Sequence, residues 1–392
     1  MLGTLILAAL LAVQASTDAD GLDRVLVDAS LERRAIGAPV FEGDRVRFLS
    51  ARGESSLPID GGVIAIADAS GVAPEPRGAW VELIDGQRIV GSPPLPGDAD
   101  ARRPGSEDTL AWSSPLLGEL ALPIEAVQRV VLDDSATAAP LDELADVLVY
   151  VNGDVVRGIV EEIGDEVVVD IDGMVDRVPL AYLTSFSLAN PPRPPRGTRV
   201  WLADGSVVQV DRLRSLADGV RLDPSEAMLA RDTQPPPPLR PGEVLAVAFE
   251  SGNVVPLVRL GLPEIEAVGG RRWAPPPRAG DADRALLGAP AIEISGPTEA
   301  SWTVPADARR LSLRVRLRPD GRTWGDCLVR VSVDGMAEGA SVVRLWGERP
   351  EADFVVDLPG GTPRTLRLAI EAGERGTIQD RVLLDGLVLT GG

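Results

Sequence analysis

The sequence predicts an all-β protein in two parts, tandem small β-barrel repeats followed by a C-terminal β-sandwich. Three observations predict it. Val, Ile and Leu alternate with polar residues in short runs such as 147–156 (VLVYVNGDVV) and 200–208 (VWLADGSVV), the period-two pattern of half-buried strands. Asp-Gly and Asn-Gly dipeptides split those runs and supply the positive φ that two-residue hairpin turns require. No segment keeps helical periodicity beyond about eight to ten residues.

Composition narrows the chemistry. Of 392 residues, 44% are hydrophobic and 25% charged, a globular balance. Acids outnumber bases 59 to 39, the net charge is -20, and with no Lys in the chain every base is Arg. There is no His, and Cys327 is the only cysteine. Triads built on an imidazole are therefore excluded, as are lysine Schiff bases, P-loops and His- or Cys-rich zinc sites. An acidic chain is repelled by nucleic acid and by anionic membranes, so no nucleic-acid role is expected.

Taken in order, the chain opens on twelve apolar residues, 2–13 (LGTLILAALLAV), too few for a membrane-spanning helix. Val13-Gln14-Ala15 and the polar residues after it have the layout of a secretory signal peptide, residues 1–15, cut after Ala15. No later stretch reaches spanning length, so the mature protein is expected to be secreted or periplasmic, with no transmembrane segment. A lone cysteine in such a compartment has no internal disulfide partner, and Cys327 reads as a small buried hydrophobe.

An internal repeat follows. Segments 81–91, 149–158 and 200–208 each read strand, Asp-Gly or Asn-Gly turn, strand. Each unit then closes on an apolar-Pro-apolar triplet: Leu122-Pro123-Ile124, Val178-Pro179-Leu180 and Val255-Pro256-Leu257. A degenerate first copy begins at Val25, has lost the Asp-Gly turn, and ends at Leu57-Pro58-Ile59. The expected repeats are 22–70, 78–133, 146–188 and 197–268, with strand numbers that suit bent barrels of SH3-like or Sm-like type. Pro-rich stretches at 190–196, 234–241 and 273–278 read as semi-rigid spacers. Residues 93–106 read as an exposed hairpin loop, and 134–143 as a short linker helix.

From 279 to 392 the strands lengthen, with turn signals at Pro319-Asp320-Gly321, Asp334-Gly335 and Pro359-Gly360-Gly361. Their number and spacing fit a β-sandwich. Four motifs appear in order: Trp302-Thr303-Val304-Pro305-Ala306 leading into 311–315, Val329-Arg330-Val331-Ser332-Val333-Asp334-Gly335, 366–373 (LRLAIEAG), and Asp380 before the closing strand. In that order they resemble the NPCBM/NEW2 module, a carbohydrate-binding domain with a galactose-binding-like jelly roll. The combination with a signal peptide and Arg-only base usage resembles secreted proteins of planctomycete-type, high-GC bacteria. The sequence departs from the family at 295–301, where Ser295-Gly296-Pro297-Thr298-Glu299-Ala300-Ser301 replaces a Gly-rich, His-containing stretch. The ligand site is therefore read from the residues of this chain.

A sugar site needs an exposed aromatic face and polar groups for the hydroxyls. Only 4% of residues are aromatic, and seven of them are Trp. Trp324, in a turn-rich loop between Asp320 and Asp326, is the stacking candidate, with Trp346 second. Arg322, Asp326 and Asp380 are the candidate hydrogen-bonding groups. Exposed rings at these positions favour sugar; buried rings with apolar surfaces on the repeats favour assembly.

Calcium is the ion to consider, because jelly rolls often carry one. Asp170-Ile171-Asp172-Gly173 looks like the start of a calcium loop but lacks the later ligands and reads as a hairpin tip. Asp320 and Asp326 are no richer, so no cofactor is expected. The acids give no specific carboxylate pair for a glycosidase, and no enzyme is expected. The partner expected is a polysaccharide or glycoconjugate. The alternative is an adaptor that contacts other cell-envelope proteins through its repeats.

Overall fold

The computed structural model describes residues 22–68, 74–94, 109–133, 138–193, 197–224, 236–249, 254–269, 272–280, 290–335, 341–358, 360–376 and 379–391. The apolar N-terminal run and its cleavage site lie outside them, as does the 93–106 loop from residue 95 onward. Among the described residues the regular structure is β-strand with short 3-10 turns, in antiparallel pairings. Residues 138–143, expected to finish a linker helix, are not helical.

The first part consists of four units in which the last strand returns to pair antiparallel with the first. Val63–Asp68 pairs with Arg24–Asp28, and Val127–Val131 with Trp80–Leu83. Leu183–Ser187 pairs with Asp146–Tyr150, and Val244–Ala248 with Thr198–Leu202. The opening hairpins form where the dipeptides predict them. Gly86, Gly153 and Gly205 all have positive φ, and each N–H closes a turn onto the carbonyl three residues back. The preceding Asp85, Asn152 or Asp204 accepts the N–H two residues ahead, so the same Asx turn recurs three times. In the first unit the turn is longer. Asp28, buried, accepts from the N–H groups of Ser30 and Glu32, while Leu31 takes a positive φ of 60°.

Pro123 and Pro179 precede the 3-10 turns Ile124–Ala126 and Leu180–Tyr182. A prolyl ring offers no ladder N–H and fixes φ, so it ends one strand and starts the turn that carries the chain back. The fourth unit uses Pro241 in this role, at the start of the turn Pro241–Glu243. Val255-Pro256-Leu257 does not close that unit: Val254–Pro256 pairs with Arg381–Thr390 of the C-terminal part. The two triplets look alike because both break a strand into a 3-10 turn.

The units also pair with one another through their last strands. Val63–Asp68 of the first pairs with Val244–Ala248 of the fourth, and Val127–Val131 of the second with Leu183–Ser187 of the third. The fourth and second meet at a bridge between Val207 and Arg88. The order of contact is first, fourth, second, third, over one core that includes Leu26, Trp112, Phe186 and Leu202.

The C-terminal part is two sheets face to face. One holds Arg278–Ala279, Ile292–Ser295, Arg381–Thr390, Ala308–Leu317 and Glu351–Asp357, with Val254–Pro256 beside Arg381–Thr390. The other holds Glu264–Ala267, Thr298–Val304, Arg364–Ala372, Asp326–Val333 and Ser341–Trp346. Residues 254–267, read from sequence as the end of the fourth repeat, thus supply two strands to the sandwich. Alternation does the packing. Leu311, Leu313, Val315 and Leu317 face Leu366, Leu368 and Ile370 in the core. The intervening Arg310, Arg314 and Arg316 pair with Asp357, Glu351 and Asp385 on the outside.

The two parts touch through Val27, Leu31 and Ile64 against Leu387. Burial pushes the Arg33 guanidinium below its ordinary pKa, against the pull of Asp385 and Asp353 of the sandwich.

Candidate functional site

The loop 318–326 lies at one end of the sandwich, between Ala308–Leu317 and Asp326–Val333. Pro319–Gly321 forms a 3-10 turn, and the Gly321 carbonyl accepts from the N–H groups of Trp324 (3.3 Å) and Gly325 (2.7 Å). A Cβ on Gly325 would lie 2.8 Å from that carbonyl, so the tight return needs glycine there. The return turns the Trp324 side chain outward, and 59% of it is exposed.

Asp326, one of the expected ligand groups, is fully buried, on the face of its strand opposite the core residue Cys327. Its carboxylate receives Arg344 in a fork, from Nε (2.8 Å) and Nη2 (2.9 Å), and the Arg375 backbone N–H at 3.1 Å. The bonds from Arg344 and then from Arg375 hold its pKa below the ordinary carboxylate value, outweighing desolvation. Arg344 also reaches Glu374 at 2.9 Å, and its own pKa is raised, first by Asp326 and then by Glu374. Asp380 is buried as well and accepts the Asp326 backbone N–H through Oδ1 at 3.2 Å. Asp326 and Asp380, sought as sugar contacts, are therefore struts beneath the loop. The reason is their place at the roots of two strands: Asp326 opens Asp326–Val333 on the face opposite core residue Cys327, where Arg344 covers it, and Asp380 immediately precedes Arg381–Thr390.

Trp346 is half-buried, opposite Asp326 in the strand register, with the Arg344 guanidinium carbon 5.8 Å from its ring centre. Arg322 is exposed, and its carbonyl packs on the next turn so closely that a Cβ on Gly347 would come within 2.9 Å of it. Arg375 Nη1 donates to the Thr323 carbonyl at 3.4 Å. The fold thus brings Trp324, Arg322 and Trp346 to one end of the sandwich, on loops braced by Arg344, Glu374 and Arg375. Sequence reasoning missed those three; only Gly373 carried a signal, as a glycine ending a strand. A Cβ there would collide with Asp326 Oδ1. Cys327 is buried behind the ion pair, and desolvation, followed by Asp380 and Asp326, pushes its thiol up to about 12.

Among the described residues no three His, Cys, Asp or Glu side chains group as a metal site, and no helix is long and apolar enough to cross a membrane. Asp172 and Gly173, both at positive φ, form the tip of a hairpin between Glu166–Ile171 and Met174–Pro179.

No protein-family model and no curated protein matches the chain. Solved structures similar to it include carbohydrate-binding modules and carbohydrate-active enzymes, among them a family two carbohydrate esterase from Cellvibrio japonicus (15% identical, over 36% of this chain and 33% of its own, TM-score 0.22). CBM51 from Clostridium perfringens GH95 in complex with methyl-galactose is 14% identical, over 34% of this chain and 99% of its own, with a TM-score of 0.27. CBM36 in complex with calcium and xylotriose is 11% identical, over 34% of this chain and 96% of its own, with a TM-score of 0.22. TmCBM61 in complex with beta-1,4-galactotriose is 12% identical, over 36% and 87%, with a TM-score of 0.21.

Proposed function

We propose that the chain is a non-catalytic, extracytoplasmic protein that binds a polysaccharide or glycoconjugate at the 318–326 end of its sandwich. The observation that carries the reading is the exposed indole of Trp324 on a loop whose base is pinned by the buried Asp326 carboxylate and its partner Arg344. An aromatic face held rigid loses little entropy on stacking against the apolar side of a pyranose. Exposed Arg322, and Trp346 at the edge, offer a donor and a second surface for a neighbouring residue of the polymer. Asp326 and Asp380 act from beneath, as positioning residues.

The test is titration calorimetry of the full chain against a panel of soluble polysaccharides, each run with calcium and with chelator. Loss of one stacked ring costs about 1.5–3 kcal/mol, so Trp324→Ala should weaken binding about tenfold to a hundredfold. Its stability should change by less than about 0.5 kcal/mol, as for other exposed positions. No heat from the folded chain across the panel, or equal binding by Trp324→Ala, sinks the reading. A calcium requirement would show as heat lost in chelator alone.

A second reading, an envelope adaptor acting through the repeats, is favoured by the exposed apolar surface of the third unit. That surface is taken up next.

A further inference from the structure

Among the described residues of the four units, large exposed hydrophobic side chains concentrate on the third. Val151, Val155, Ile159, Met174, Val175 and Tyr182 are exposed, whereas the first and second units contribute none and the fourth only Leu216. Ile159 and Val175 flank Asp170 in one cross-strand row and share its face.

The second and fourth units show what covers the matching positions. In the opening hairpins Gln87, Asp154 and Ser206 correspond, as do Arg88, Val155 and Val207, and Val90, Arg157 and Gln209. Arg88 and Val207 face each other across an antiparallel bridge between the second and fourth units. The contact is reciprocal. Gln87 Oε1 accepts the Gln209 N–H at 2.6 Å, and Ser206 Oγ accepts the Val90 N–H at 3.0 Å. Equivalent positions on two units thus meet about a local two-fold axis, and Arg88 and Val207 are each only 9% exposed. In the third unit Val155 is 47% exposed, and the outer edge of 155–157 pairs with no strand among the described residues. At the other end of the order, the first unit is met by the sandwich.

We propose that the third unit docks on the third unit of a second copy of this chain, edge 155–157 against edge 155–157, repeating the contact between the second and fourth units. A contact that places equivalent positions opposite each other is self-complementary, which is what an isologous dimer requires. The chemistry is present. Asp154 supplies the side-chain acceptor where Gln87 and Ser206 stand, Arg157 the backbone N–H, and Val155 the residue on the axis. Val151 and Ile159 beside them become covered.

Sedimentation equilibrium of the full chain at tens of micromolar tests this. The expected mass is twice the chain's 41.3 kDa, and Ile159→Asp, which puts an unpaired charge into the apolar face that the contact covers, should return it to the monomer. Because Cys327 is buried, Val155→Cys adds the one reactive thiol, and opposite residues on an antiparallel pair are within disulfide reach. Mild oxidation should convert most of V155C to a covalent dimer, while V342C, exposed on the sandwich, should not convert. A monomer throughout overturns the proposal. So does a dimer that Ile159→Asp leaves intact and that V155C fails to trap.

Discussion

Asp326→Asn changes one charge and almost no shape, so it isolates what the buried carboxylate does. The wild-type group accepts three hydrogen bonds, two from Arg344 and one from the Arg375 N–H. Oδ2 accepts from both Arg344 Nη2 and the Arg375 N–H, so an amide oxygen placed there keeps those two bonds but turns its NH2 toward Arg344 Nε, and the fork to Arg344 is broken. Bonds to a charged acceptor contribute about 1.5–3 kcal/mol each. The Arg344 side chain is 36% exposed and recovers much of its loss in water. The net cost at Asp326 is therefore about 2–3 kcal/mol. With a urea slope of about 1.5 kcal/mol/M for a sandwich of this size, the midpoint falls by roughly 1.3–2 M.

Cys327 makes the assay specific to the sandwich, because the only thiol of the chain lies in that core. Samples equilibrated in urea are pulsed at pH 8 with a thiol reagent, and labelling reports the opening of that core alone. The pH dependence fixes the cause. The folded pKa of Asp326 is depressed, so its stabilisation is full above the unfolded value near 3.8 and fades as pH falls through the lower folded value. The gap between wild type and Asp326→Asn should be complete at pH 7 and should close below pH 4. A gap that stays constant down to pH 2, or one that is absent at pH 7, refutes the ion-pair account.

Gly373→Ala pushes a methyl group into the same carboxylate from the other side, and overpacking of this kind costs about 1–3 kcal/mol. The Cys327 labelling midpoint should fall without any change in its pH profile, since the charge is still present. Phe186→Ala empties a fully buried site in the core shared by the repeats, at a cost of about 3–5 kcal/mol. The fluorescence transition of the repeats should move while the Cys327 midpoint stays within about 0.3 M, as distant sites act independently.

Local chemistry was legible in the sequence. The Asp-Gly and Asn-Gly turns at 85–86, 152–153 and 204–205 stand where the dipeptides place them, because a positive φ after an Asx residue needs no distant partner. Pro58, Pro123 and Pro179 mark the return strands for a similar reason. Pro256 carries the same local signal in the wrong unit, and only pairing with Arg381–Thr390, over a hundred residues later, reveals it. The pairing of first with fourth and second with third unit is likewise non-local, so alternation within each strand is blind to it. Trp324 was legible as a ring in a glycine-rich loop. Asp326 was not, because its partner Arg344 lies on another strand and a carboxylate is a surface residue by default.

The two proposals meet in one further consequence. The return strands of the repeats are already paired with one another, and of the described opening hairpins of the second, third and fourth units the one with an unpaired outer edge is the third, at 155–157. The sandwich meets the first unit, and the open edge belongs to the third, the other end of the contact order. A dimer through that edge therefore carries one Trp324 site beyond each end of a row of eight units. Single sugar sites of this kind are weak, but two that engage one polymer gain effective concentration, and avidity can exceed single-site affinity by roughly a hundredfold to ten-thousandfold. Ile159→Asp should then weaken binding to a long polysaccharide by at least about tenfold and leave the affinity for a short oligosaccharide of the same linkage unchanged. Trp324→Ala should weaken both. If Ile159→Asp yields a folded monomer that still binds the polymer as tightly as wild type, the two ends do not act together, and the dimer serves something other than polymer capture.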